Sequence, residues 1–141
     1  RCLTSLNACA ISDVRLMTPE IAQALSEVRH LRSIHYAWDL MAFEKQVLAG
    51  IKVLSQSVKK YRHMCYILTG YNTSFEEDMY RFRRLREQKV DPYVMPYNLT
   101  YPTKRHHYFA RWVNGRIYKS CQFQDYEPWV KARENMQMSM I

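Results

Sequence analysis

The strongest constraint on this chain is a rhythm. A strand-like apolar run, a polar turn, an amphipathic helix and another strand recur at the roughly thirty-residue spacing that a βαβ unit requires. Thr18-Pro19-Glu20 announces the first helix, because a hydroxyl there accepts from free amides and proline fits the first helical position. Ile21, Leu25, Val28 and Leu31 recur on its expected inner face. Residues 34–40 (IHYAWDL) follow as a strand without clean alternation, the pattern of a strand covered on both faces. The next helix turns Phe43, Val47, Ile51 and Leu54 inward and closes on Lys59-Lys60 near its negative dipole end. Residues 64–70 (MCYILTG) form another strand. Ser74, with Glu77 three residues on, is a capping box that opens a helix with the stripe Met79, Phe82 and Leu85. In residues 92–97 (PYVMPY), Pro96 cannot donate to a ladder and marks a strand's end or a sheet edge. Residues 3–11 are a weakly marked strand ahead of all these, and the series predicts a parallel sheet.

After Asn98 the rhythm stops. Tyr108, Phe109, Trp112 and Val113 fall at helical spacing before Asn114-Gly115, a strand-like piece spans residues 117–123, and residues 127–141 have the composition of a final Met-rich helix. Cys2, Cys9, Cys65 and Cys121 include no CxxC pair, which points to reduced, mostly buried thiols rather than a zinc site or a disulfide framework. No run approaches the roughly 18 apolar residues of a membrane span, and the first residues lack a signal-peptide layout, so a cytoplasmic, internally started piece of a larger protein is expected. With three glycines in the whole chain there is no Gly-rich phosphate loop. The formal charge of +8 raises nucleic acid as a partner, but two of its three basic clusters (Lys59 to Arg62, Arg81 to Lys89) fall on helix ends and outer faces, where solvated charge is the simpler explanation.

Ligands of parallel α/β sheets lie beyond the carboxyl ends of the strands. That rule selects Asp13 and Arg15, Asp39, then Thr69, Gly70, Tyr71 and Asn72, then Tyr97 and Asn98 as residues that converge on one mouth. Gly70 is the most informative, because glycine lets backbone approach a ligand closely. Plainer alternatives are a helix cap for Asp13 and Asp39, a turn for Asn72 and Asn98, and an ion pair with a neighbouring carboxylate for Arg15. The histidines show no metal-ligand spacing, and no Ser-His-Asp or Cys-His arrangement follows from spacing alone.

The segments HYAWDLMAFEKQVLAGIKVL, YILTGYNTSFEEDMYRFRRLREQKVDPYVMPYN and FARWVN, in that order, resemble the C-terminal portion of a radical S-adenosylmethionine (SAM) protein, over residues 13–126. The resemblance implies an α/β fold, a partial parallel (β/α) TIM-type barrel over residues 1–98, with a helical aromatic C-terminal extension over residues 99–141 packed on it. It implies two cofactors, S-adenosylmethionine and a four-iron, four-sulfur cluster, with an electron donor as partner and hydrogen abstraction by a 5′-deoxyadenosyl radical as the chemistry on an unknown substrate. The family holds its cluster with three cysteines spaced CxxxCxxC in the first βα loop. This sequence has no such motif, and Cys2 and Cys9 have the wrong neighbours, so a truncated chain, inactive alone and without metal ligands, is expected.

Carried onto this sequence, Asp13 and Arg15 match a strand ending Asp-x-Arg and would contact the ribose or carboxylate of SAM. Residues 67–71 match the strand-to-Gly segment that lies against adenine, which places Thr69, Gly70, Tyr71 and the following Asn72 near the cofactor. Asp39 would make a polar contact in the same mouth. Relatives often show Gln-Gly upstream of Asp13, where this chain has Ala10-Ile11. Two other readings stand beside this one. In the first, Lys104 to Lys119 interleave Arg, His, Tyr, Phe and Trp as a nucleic-acid-binding surface. In the second, the chain is a scaffold without a cluster or catalysis.

Overall fold

The computed structural model describes residues 8–29 and 31–140. Four strands, β1 (Ala8–Ile11), β2 (Leu31–Trp38), β3 (His63–Thr69) and β4 (Asp91–Pro96), form one sheet in the order β1-β2-β3-β4, and every pairing is parallel. Three helices cross between them: α1 (Pro19–Glu27), α2 (Glu44–Ser55) and α3 (Phe75–Glu87). Then come α4 (Lys104–Asn114), two short 3-10 turns at Ile117–Lys119 and Phe123–Asp125, and α5 (Glu127–Met138). These turns replace the strand expected at residues 117–123. Of the residues expected as a first strand, 3–7 lie outside the described ones.

Consecutive strand order combined with right-handed crossovers sends every connecting helix to the same face of the sheet. Burial follows that rule. Ile34, Tyr36, Trp38, Cys65, Ile67, Thr69 and Val94 are almost completely buried, whereas Ala37, Tyr93 and Met95 on the alternate positions are exposed. The expectation that strand 34–40 is covered on both faces is therefore corrected: the sheet is one-sided. The strand also begins earlier than expected and takes Leu31 from the helix before it. α1 consequently buries Ala22 and leaves Ile21 and Val28 exposed, because the helix ends at Glu27, before the expected stripe is complete. α2 and α3 follow their predicted faces, with Val47, Ile51 and Leu54 on one and Phe82 and Leu85 on the other fully or nearly fully buried. The Ser74–Glu77 capping box is present in both of its hydrogen bonds.

The half-barrel is not observed. The sheet is open, and its β4 border is finished by a side chain. Asn114, the last residue of α4, accepts from the Val94 amide through Oδ1 at 2.8 Å and donates from Nδ2 to the Val94 carbonyl at 3.0 Å. Those are the two backbone groups on which a further strand would pair, so the carboxamide stands in for a ladder partner. α4 and α5 do not form a separate layer with its own core. Phe75 and Phe82 of α3 meet Phe109 and Trp112 of α4, and Phe123 stacks on Trp129 of α5 at 5.7 Å, all within the one hydrophobic cluster.

Replacing Asn114 with Ala leaves both Val94 groups unpaired beside a buried strand, and each such loss costs about 1–3 kcal/mol. A lower urea midpoint and faster amide exchange at Val94 are expected. Asn114→Asp keeps an acceptor for the Val94 amide but cannot donate to the Val94 carbonyl, so it recovers amide protection and only part of the stability.

Candidate functional site

The site begins with how β1 turns into its crossover. Asp13 caps the 3-10 turn Val14–Leu16 by accepting from the Arg15 amide at 3.0 Å. Its carboxylate also takes Arg15 in a two-pronged pair, with Nε to Oδ1 at 2.9 Å and Nη2 to Oδ2 at 2.7 Å. The Arg15 guanidinium lies 4.3 Å over the Phe43 ring. Arg15's hydrogen bond holds the Asp13 carboxyl below the usual carboxylate range. The turn is held from beneath by α2, where Gly50 meets the Val14 backbone so closely that an added Cβ would stand 1.8 Å from its carbonyl oxygen. Only glycine permits that approach.

Beyond the carboxyl ends of β1 and β2, Asp13 and Arg15 join Asp39, Phe43, Tyr36 and Tyr66 around a cavity of about 300 Å³. Two carboxylates face one guanidinium there, so the lining carries a net negative charge among aromatic walls. A ligand with a planar ring and a positive charge is the chemical complement. Tyr66, which the sequence did not single out, enters through a chain of polar contacts on the open face of the sheet. Its hydroxyl lies 2.7 Å from His35 Nδ1, and His35 Nε2 lies 2.7 Å from the Ser33 hydroxyl. No sequence spacing signals this chain, since it joins neighbouring strands through their register, His35 opposite Met64 and Ala37 opposite Tyr66.

The remaining predicted residues do not converge on that mouth. Thr69 faces the helices, wholly buried, and donates its hydroxyl to Asp78. Gly70 adopts φ +84°, and the space where a Cβ would stand is taken by Pro102 at 2.8 Å, so its role is a turn packed against α4's approach. Asn72 is a turn residue at φ 52°. Tyr71 packs its ring on Tyr97 at 4.5 Å, both exposed, and Asn98 lies in the exposed turn after β4.

What the sequence missed is a buried ion pair behind the site. Arg81 of α3 is fully buried, with Nη1 donating to the carbonyls of Trp38 and Asp39 and Nη2 to the Leu68 carbonyl at 2.7 Å, to Thr73 Oγ1 and to Asp78. Asp78, also fully buried, accepts from Thr69, Thr73 and Arg81, and His106 Nε2 stands 3.7 Å away. The cluster staples the carboxyl ends of β2 and β3 to α3 and thereby fixes the backbone of Asp39. In the sequence Arg81 reads as one more charge on a basic helix face.

Cys65 is a buried free thiol and Cys121 a half-buried one. Burial pushes the Cys65 thiol well up, which leaves it protonated and a poor metal ligand. Among the described residues no group of His, Cys, Asp or Glu has the arrangement of a metal centre, and no helix is long and apolar enough to cross a membrane. No family model, curated protein or solved structure matches this chain.

Two outcomes follow. Arg81→Met leaves Asp78 charged and uncompensated in the core and is expected to cost about 3–5 kcal/mol in urea unfolding, with Arg81→Lys recovering little because an ammonium cannot reproduce the fork. The second concerns pH. Burial lowers the pKa of His63, His106 and His35, so each binds its proton more weakly in the folded chain than in the unfolded one. The unfolded state then holds more protons below the ordinary histidine value of about 6.5, and their stabilising contribution is present above that value and lost as pH falls through the folded pKa values. The urea midpoint is expected to drop between about pH 7.5 and about pH 5.

Proposed function

We propose that this chain binds S-adenosylmethionine in the cavity at the carboxyl ends of β1 and β2, as the cofactor-facing part of a radical-SAM-like enzyme. The observation that carries the proposal is the charge of that cavity: two carboxylates, Asp13 and Asp39, against the single guanidinium of Arg15, beside the aromatic residues Phe43 and Tyr66. S-adenosylmethionine joins an aromatic nucleobase to a sulfonium and an ammonium group, and so matches both features. The resemblance of residues 13–126 to radical SAM proteins supports the same ligand. When bound, the cofactor would supply, on one-electron reduction, a 5′-deoxyadenosyl radical able to abstract hydrogen.

In this reading Asp39 holds positive charge, its backbone fixed through Arg81. The Asp13–Arg15 pair presents carboxylate oxygen and guanidinium together, so it can meet both the ribose hydroxyls and the amino-acid end of the ligand. Phe43 and Tyr66 offer flat walls. The described residues do not fit a four-iron, four-sulfur cluster, since Cys65 and Cys121 are not grouped with each other or with other donors and Cys65 is buried as a thiol. The nucleic-acid alternative draws no support from residues 104–119: Phe109 and Trp112 face the core, Arg105 pairs with Glu76 and Arg116 with Asp91.

Calorimetric titration with S-adenosylmethionine and with its neutral-sulfur counterpart S-adenosylhomocysteine tests the proposal. Saturable binding of the sulfonium compound is expected, with at least about tenfold weaker binding of the thioether and a similar loss in Asp39→Asn, equal to about 1.4 kcal/mol. Equal affinity for the two ligands, or no binding to millimolar concentration, would sink it.

A further inference from the structure

A second cavity, of about 220 Å³, lies in the helical layer between α3, α4 and the turn at Phe123–Asp125, and it shares no residue with the first. Its floor is aromatic: Phe75, Phe82, Trp112 and Phe123 are all under a tenth exposed. These rings lock one another in place, with Phe82 on Trp112 at 4.9 Å, Trp112 on Phe123 at 5.6 Å and Phe75 on Phe123 at 5.7 Å. A floor built this way cannot collapse to fill the space, because each ring is already in contact with its neighbours.

The rim is cationic. Arg105 is fixed, its guanidinium 3.8 Å over the Phe75 ring and 3.1 Å from a Glu76 carboxylate oxygen. Arg83, also on the rim, is exposed and makes no hydrogen bond or ion pair among the described residues. Two guanidiniums against one carboxylate leave one positive charge in excess, and Arg83 carries it without a partner. Gln122 and Gln124 add neutral hydrogen-bonding groups on the opposite side. An apolar floor of mutually inclined aromatic rings beneath one uncommitted guanidinium selects a compact aromatic monoanion, since the ring is desolvated below while the carboxylate takes the two-pronged geometry that arginine offers at the rim. The space is too small for a helix or a strand, which argues for a free molecule rather than a protein segment.

We propose that this cavity is a binding site for a small aromatic carboxylate, with the ring on Phe82, Trp112 and Phe123 and the carboxylate on Arg83. The site is independent of the one proposed for S-adenosylmethionine, and its test uses neither that cofactor nor an activity.

The probe is 1-naphthoate, titrated against the whole chain and followed by tryptophan fluorescence and by amide chemical shifts, with neutral 1-naphthamide as the comparison. Saturable quenching at submillimolar concentration is expected, with shifts at Gln122, Phe123 and Gln124. The amide should bind at least about tenfold more weakly, and Arg83→Gln, an exposed substitution that leaves the fold intact by circular dichroism, should weaken naphthoate by a similar factor. Equal binding of naphthoate and naphthamide overturns the carboxylate assignment. So does an Arg83→Gln variant that binds as the parent does, a set of shifts confined to Asp13, Arg15 and Asp39, or no binding to millimolar concentration.

Discussion

The Arg81–Asp78 pair is the interaction on which the arrangement around the first cavity depends. Removing two charges from water costs several kcal/mol for each, and the cost is offset only where the remaining donors and acceptors are filled. Here nearly all are: two carbonyls at the end of β2, one near the end of β3 and two threonine hydroxyls complete the cluster, and only the Arg81 Nε–H lacks a partner. The cluster therefore forms only when β2, β3 and α3 are all in place. It converts three separate packing events into one, and it sets the backbone from which Asp39 projects.

A second constraint is chirality. Because each crossover has the same hand and each strand adds on the same side of the last, the helices have no choice of face. One face of the sheet is consequently packed and the other is left with Ala37, Tyr66, Tyr93 and Met95 exposed or half-exposed. The polar chain from Ser33 through His35 to Tyr66 lies on that open face, where its groups remain within reach of water or ligand. The helical layer, in turn, is thick enough to hold an aromatic cavity of its own. The two cavities differ in charge, net negative at the strand ends and net positive on the rim between α3 and α4, so they suit ligands of opposite sign.

Signals in the sequence are legible where they are complete within a few residues. Thr18 and Ser74 cap helices as their spacing implies, the stripes of α2 and α3 are buried, and Asn114-Gly115 ends α4. Reading failed where a residue's partner lies far along the chain. Thr69 ends a strand, as a mouth residue would, yet strand alternation carries its side chain to the helix side, where Asp78 receives it. Gly70 has the backbone freedom of a ligand approach, but Pro102 fills that space. The aromatic residues of α4 have the composition of a nucleic-acid surface, but Phe109 and Trp112 are core because Phe82 of α3 lies against them.

By itself the sequence determined the parallel α/β succession and the starts of α1 and α3, since each rests on contacts between residues close in the chain. Only the tertiary structure decided that the sheet stays open, with Asn114 closing the border of β4, that Arg81 is a buried anchor rather than a surface charge, and that the predicted site residues divide between two sides of the sheet. The physical reason is the same in each case. Which face a strand residue presents, and which partner a charge finds, depend on register and crossover hand, and neither is written in a local pattern.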